Sequence, residues 1–252
     1  MWSRKELKGK AKAFLRKNYW GAFLVSIVIA LAGGNSGWGG GGSSDSGNHS
    51  TFTNNHSVDL TFILIAVVIF IVIMLIIMAL RIFIGYSLEV GGRRYFVKSV
   101  QYQDNKKCFR FGFDGQNYGG IVKTMLLTDI FIFLWSLLLI IPGIVKSYSY
   151  RMVPYILADN PNIGVKKAIA LSNEMTMGHK FNMFVLDLSF IGWYLLGILA
   201  LGIGVLFVLP YDNATNTELY LALRKNALEN NLCTYEDLSL TKPSFEDNNY
   251  VW

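Results

Sequence analysis

Long apolar runs, separated by short polar segments, are the main pattern along the chain. The run Leu60–Leu80 extends over 21 residues without a charged side chain, which is long enough to cross a hydrocarbon core of about 30 Å as a helix. Because a helix that is apolar on every side has no face for water, this run predicts a membrane span. The whole pattern predicts an all-α fold: a polytopic transmembrane helical bundle of about six membrane helices, with additional interfacial amphipathic helices.

The first segment is amphipathic rather than uniformly apolar. Ser3 and Glu6 have the spacing of a capping box, so a helix should begin at Ser3. Its basic side chains could hold it on an anionic membrane surface, or could simply flank the apolar run 20–32. The run ends in Ala30-Leu31-Ala32, which resembles a signal-peptidase site, but we expect the segment to be retained as the first membrane helix. The basic residues of the predicted membrane-surface helix are Arg4, Lys5, Lys8, Lys12 and Arg16.

Three further apolar runs predict the remaining spans. The run 58–88 should continue as an interfacial helix to about residue 97. The run 121–145 is interrupted by Pro142-Gly143 and leaves two topologies open: a hairpin that turns there and returns as 144–158, or a single crossing. The run 181–210 is too long for one perpendicular span and should break at Gly202 and Gly204.

The polar segments predict loops, a surface helix and the sidedness of the protein. We expect a single membrane domain over 1–228, with a loop at 101–120, a surface helix that starts at Asn160-Pro161 and a disordered polar tail at 229–252. The Gly/Ser-rich segment 33–57 has no Lys or Arg, whereas 89–120 is rich in both. Since basic residues favour the cytoplasmic side, 33–57 should be extracytoplasmic, 89–120 cytoplasmic, and both termini cytoplasmic.

Composition and charge agree with this interpretation. Charged residues make up 16% of the chain and the mean hydropathy is +0.36, whereas soluble domains carry roughly 25% charge. The net charge of +6 comes from basic residues that flank apolar runs, which is typical of membrane anchoring and not of nucleic-acid binding. Cys108 and Cys233 are isolated thiols that predict neither a disulfide framework nor a metal site.

Several short strings resemble a known family. They include Arg4-Lys5-Glu6-Leu7-Lys8 with Asn18-Tyr19-Trp20, Ile141–Lys146, Tyr148-Ser149-Tyr150, Tyr155–Pro161, Ser189–Trp193, Gly202-Ile203-Gly204 and Pro210-Tyr211. Together they resemble the uncharacterised integral membrane proteins of Gram-positive bacteria known as domain of unknown function 975. The resemblance implies a helical membrane bundle in a bacterial cell membrane and brings no established activity or catalytic residues.

Ionisable and polar groups at membrane depth are the candidate functional residues. An Asp, Lys or Arg at the centre of a membrane helix costs at least about 2.5–3.5 kcal/mol, so such groups pair with one another or line a wet cavity. We expect Asp187 to pair with a cation of the returning arm, Arg151 ahead of Lys146. The candidate residues are Asp129, Lys146, Arg151, Asp187, Tyr211, Asp212, Asn213 and Glu218.

The sequence leaves two hypotheses for function. Zincin, P-loop and nucleophile-elbow motifs are absent, which predicts a protein that is not an enzyme and has no cofactor or metal. One hypothesis is a membrane scaffold or accessory protein that binds a partner protein in the bilayer. The alternative is a carrier of a small molecule, ion or lipid with a polar intramembrane cavity. In both, the surrounding partner is the lipid bilayer with its anionic inner leaflet, and no nucleic acid is bound.

Overall fold

The computed structural model describes residues 2–33, 60–199 and 202–242, and every regular element in these ranges is helical. The predicted all-α class is therefore confirmed for this part of the chain. A π-helical turn, Arg81–Gly85, joins two of the helices into one continuous rod. The helices are α1 (Arg4–Leu31), α2 (Leu60–Leu80), α3 (Tyr86–Val100), α4 (Cys108–Gly112), α5 (Gly115–Leu138), α6 (Ile140–Tyr150), α7 (Val153–Asp159), α8 (Val165–Thr176), α9 (Lys180–Leu199) and α10 (Gly204–Glu229).

Helix α1 begins where the capping pattern predicts. The Ser3 side chain accepts a hydrogen bond from the Glu6 backbone N–H at 3.3 Å, which satisfies one of the free donors of the first turn. The helix bends at Asn18, whose φ of −128° and ψ of 29° are not helical. Before the bend, Leu7 and Phe14 pack into the protein against α10 and α3. The apolar face that could have entered the lipid boundary is thus covered by protein.

Helix α10 lies at the centre of the bundle. It packs against α1, α9, α3 and α8, and most of its side chains from Leu209 to Tyr220 are buried. Many of those side chains are polar, and the helix passes through Pro210 without ending. The predicted break between the last two helices lies at the expected place, because α9 ends at Leu199, Gly202 adopts a positive φ of 76°, and α10 starts at Gly204.

Within the described ranges, four helical segments are long and apolar enough to cross a membrane: Arg4–Leu31, Ile63–Val100, Gly115–Leu138 and Lys180–Leu199. The predicted count of about six is not confirmed. Helix α6, the returning arm, has only 11 residues, which is shorter than the roughly 20 residues that a span requires. Helix α10 is long enough, but polar residues interrupt its apolar sequence.

Helices α5 and α6 form an antiparallel hairpin. The turn lies at Leu139, which is extended (φ −158°, ψ 141°), and not at Pro142-Gly143 as predicted. Pro142 is the third residue of α6, where its missing N–H removes no helical hydrogen bond. A side chain on Gly143 would collide with the backbone of Ser136 on α5. This close approach brings the two arms together.

The structure corrects three predictions about the polar segments. The segment 101–120 contains α4 and the start of α5. The surface helix starts at Val165 rather than at Pro161, because Gly164 has a positive φ of 89° that ends the preceding turn. The described part of the tail, 230–242, is packed against the bundle, with Leu238 fully buried.

Two sequence-based expectations fall outside the described residues. The first concerns the Gly/Ser-rich segment 33–57, of which the structure describes only Gly33. The second concerns residues 243–252 of the tail.

Candidate functional site

Arg151 and Asp187 form a two-pronged ion pair inside the bundle. The Arg151 guanidinium donates to both carboxylate oxygens of Asp187, at 2.7 and 2.8 Å. Both side chains are nearly enclosed, with exposed fractions of 9% and 10%. Arg151 follows the last residue of α6 and Asp187 lies in α9, so the hairpin is what brings the cation to this depth. Parallel N–H···O bonds of this kind are the strongest ion-pair geometry in proteins.

The ion pair belongs to a larger set of hydrogen-bonded groups, which we call the central polar cluster. Arg151 also donates to the side-chain oxygen of Asn216 at 2.9 Å, and Asn216 in turn donates to Asp212 at 2.9 Å. Tyrosine hydroxyls close both ends, since Tyr148 donates to Asp187 and Tyr194 to Asp212, each at 2.8 Å. The cluster comprises Tyr148, Arg151, Asp187, Tyr194, Asp212 and Asn216.

A second buried cation, Arg93 of α3, approaches α10 beside this cluster. It donates to the side-chain oxygen of Asn213 at 2.7 Å and to the Tyr155 hydroxyl at 3.0 Å. Glu89, one helical turn earlier, lies 3.6 Å from the guanidinium. The Asn213 side-chain amide in turn donates to the Ser26 hydroxyl of α1 at 3.0 Å. These bonds join α1, α3, α7 and α10 through polar side chains, and desolvated groups of this kind require such partners.

The spacing of α10 explains why one helix supports so many partners. Asp212, Asn216, Tyr220 and Arg224 recur every four residues and therefore share a face. Beyond the central polar cluster, Tyr220 and Arg224 both donate to Asp159 at the end of α7, at 2.5 and 2.8 Å. The Arg224–Asp159 pair is as enclosed as the Arg151 pair, with both side chains 8% exposed. Helix α10 thus contributes Arg224 to one ion pair and, through Asn216, a hydrogen bond to the Arg151 of the other.

The family comparison covers this part of the protein. Residues 116–227 match the family model described as a protein of unknown function (DUF975). The match confirms the resemblance to the DUF975 family. The DUF975 region contains the whole central polar cluster, the hairpin and the Asp159–Arg224 pair, whereas Arg93 and the basic first helix precede it. No curated protein and no solved structure matches the chain.

The remaining membrane-depth candidates of the DUF975 region lie apart from the cluster. Asp129 accepts a hydrogen bond from Tyr86 at 2.7 Å and lies 3.6 Å from Arg81, where both charged side chains are partly exposed. Lys146 lies over the rings of Trp135 and Tyr150 and does not reach Asp187.

Two further candidates lie on α10. The Tyr211 ring packs against Phe190 and Trp193, with centroid distances of 5.2 and 6.4 Å. Glu218 is buried and is attracted electrostatically by Lys10 of α1. Asp212 and Asn213 are therefore the predicted α10 residues that enter the hydrogen-bonded networks.

Sequence reasoning missed the residues that complete these networks. Arg93 belongs by sequence to the predicted cytoplasmic segment 89–120. The Glu89–Arg93 spacing of four residues indicates an ion pair on one helix face. Asn216 stands four residues after Asp212, and this spacing could have identified it. The tyrosines give no such signal in a chain with 13 of them. The missed residues are Glu89, Arg93, Tyr148, Tyr155, Asp159, Tyr194, Asn216 and Arg224.

The predicted basic helix borders a cavity of about 580 Å³ at the start of α1. Three of its basic residues, Arg4, Lys5 and Lys8, line the cavity together with residues of α9. Lys12 instead lies 5.7 Å from the ring centroid of Tyr211, and Arg16 is exposed on the helix. The five basic residues thus divide into a group of three at the cavity and two outside it.

The described part of the tail and the two thiols lie outside the membrane-spanning segments. Lys167 donates to Asp237 at 2.5 Å and, with a backbone bond from Thr234, holds the pKa of that carboxyl below its usual range. Burial raises the pKa of both thiols, that of Cys233 to about 11. In the part of the chain that the structure describes, no three His, Cys, Asp or Glu side chains come together as metal ligands would.

Proposed function

We propose that this protein is a non-enzymatic, multi-pass protein of the bacterial cell membrane that acts as a scaffold or accessory protein by binding a partner's membrane helix. The observation that carries the proposal is α2, which is apolar on all sides and whose described side chains are all exposed. None of the apolar window of this segment is buried.

The exposure of α2 follows its whole circumference. From Ile63 to Leu80 its large side chains are between 47% and 62% exposed, which is the exposure expected of a helix that stands alone. The next turns of the same rod behave differently, because Tyr86 and Val90 are fully packed into the bundle. One rod therefore has an anchored half and a free half, and the free half offers a long apolar surface to a partner helix.

The central polar cluster favours a scaffold over a carrier. Its two carboxylates and its guanidinium are satisfied by one another and by the neighbouring tyrosines and Asn216. The basic cavity at the start of α1 is lined by neither Asp187 nor Asp212. A carrier would need polar groups that face an open path, whereas here they cross-link helices.

Charge supports a cytoplasmic location for both termini. Helices α3 and α10 are each joined to the end of α7, since Arg94 is bonded to the Ala158 carbonyl and Arg224 to Asp159. Lys167 of α8 joins the same region through Asp237. Arg94, Lys167 and Arg224 thus lie in one region, and the positive-inside rule favours the cytoplasm for such a region.

The proposal is tested by photo-crosslinking in native membranes. A photoreactive amino acid at Ile69, Phe70, Ile71 or Val72 samples the circumference of α2 at steps of about 100°. A partner helix should give protein crosslinks from one or two neighbouring faces and lipid adducts from the others. Leu196 of α9, which is 63% exposed, is the matched control and should give lipid adducts. Lipid adducts alone from all four α2 positions would exclude a helix partner there, and a crosslink at twice the chain's mass would identify a second copy.

A further inference from the structure

The cavity at the start of α1 has a one-sided charge. It is lined by Trp2, Ser3, Arg4, Lys5 and Lys8 from the first helix and by Asn182 and Ser189 from α9. Three cations and several neutral donors therefore surround about 580 Å³, and no carboxylate is among these residues. Glu6, the acidic residue of the first turn, is instead engaged by Lys10 at 3.1 Å. The charge of these lining residues is complementary to an anion.

Two of the lining residues are held in place by the bundle. The Lys8 ammonium donates to the Ser189 hydroxyl at 2.6 Å and lies 4.2 Å from the ring centroid of Phe190. Trp2 packs its ring 5.9 Å from that of His179, and its buried indole N–H has no hydrogen-bond partner among the described residues. A buried donor of this kind requires an acceptor.

The backbone adds to the same field. Helix α1 has 28 residues and begins at Arg4, so the positive end of its dipole lies beside the cavity. Helix N-termini with nearby cations are common binding places for phosphate groups.

We propose that this cavity binds a phosphate-bearing anion, with Arg4, Lys5 and Lys8 as its cations and Asn182 as a neutral donor. The phosphate can be that of an anionic phospholipid headgroup or a free phosphate ion, since both present the same oxygens. Binding there would fix the start of α1 against α9.

The test measures retained ligand on the purified full-length protein by native mass spectrometry. The probes are phosphatidylglycerol, phosphatidylcholine as the zwitterionic control, and inorganic phosphate. In the triple variant Arg4→Gln, Lys5→Gln, Lys8→Gln, apparent affinity for the anionic probe should fall on the order of a hundredfold, about fivefold for each cation removed. The matched control, Arg16→Gln, Lys106→Gln, Lys166→Gln, removes one Arg and two Lys at exposed positions outside the cavity and should retain the probe.

The single variant Lys5→Gln is included in case the triple variant misfolds. Lys5 is exposed, so its replacement should leave the fold intact and still weaken binding about fivefold. Preference for phosphatidylglycerol over inorganic phosphate assigns the site to a lipid headgroup, and equal or stronger binding of inorganic phosphate assigns it to the free ion. Equal losses in the cavity variant and the control variant would overturn the proposal, because binding would then follow total charge. Failure of both anionic probes to bind the wild-type protein would also overturn it.

Discussion

The Arg151–Asp187 pair gives the sharpest energetic prediction. The two side chains are about nine-tenths enclosed and share two hydrogen bonds. Removing one partner of a buried ion pair costs about 3–5 kcal/mol, because the other charge is left desolvated. Asp187→Ala should therefore lower the free energy of unfolding by an amount in this range. Arg151→Ala should cost less, since the Tyr148 hydroxyl still donates to Asp187 at 2.8 Å.

The double variant tests whether the two losses share one cause. With both charges gone, neither is stranded, so the combined loss should be smaller than the sum of the single losses by about 2 kcal/mol. Denaturant titration in detergent or nanodiscs measures the free energy of unfolding of the wild type, the two single variants and the double variant.

Lys146 supplies the control cycle. Its ammonium lies 5.1 Å from the ring centroid of Trp135 and does not bond Asp187, so Lys146→Ala combined with Asp187→Ala should be additive. Additivity within about 0.5 kcal/mol in the Arg151 cycle would refute the ion pair. It would also contradict the contact between the end of α6 and α9 that this ion pair makes.

Two further predictions follow from packing and from a thiol. Gly143→Val should destabilise the hairpin by about 1–3 kcal/mol, because a Cβ there would lie 2.7 Å from the Ser136 Cα. The control Gly192→Val has nothing within 4 Å of its Cβ position and should cost much less in the same unfolding assay. Cys233 should resist a maleimide at pH 8, since its pKa of about 11 leaves roughly one thiolate in a thousand; labelling should rise as the pH approaches 11. A cysteine at the 75% exposed Tyr102 should react at pH 8, and equally fast labelling of Cys233 in the folded protein would contradict its burial.

Sequence periodicity predicted the features that depend on local chemistry. The Ser3 cap, the uniformly apolar α2 and the break before Gly204 each follow from the residues in one short window. The contact between Arg151 and Asp187 could also be expected, because a charge in an apolar bundle needs a counter-charge and the hairpin supplies one. In each case a single physical requirement left few alternatives.

The features that sequence reasoning missed depend on tertiary packing. Arg93 looks like a cytoplasmic anchor in sequence, and only the approach of α3 to α10 gives it Asn213 as a partner. The tail is polar on average, but Leu238 finds a place in the main apolar core, so residues near it are held. The hairpin turns at Leu139 and not at the predicted Pro142, because proline is tolerated in the first turn of a helix and Pro142 therefore lies inside α6.

The polarity of α10 has a consequence for how the protein is made. A segment that carries Asp212, Asn213, Asn216 and Glu218 partitions poorly from the translocon into lipid by itself, since each charged residue opposes insertion. It is also synthesised after α1, α3 and α9, whose side chains supply its partners. Its entry into the bundle therefore has to wait for these helices to be assembled. Until α10 arrives, Arg93 lacks Asn213 and Arg151 lacks Asn216, so both cations wait for α10 to complete their hydrogen bonds.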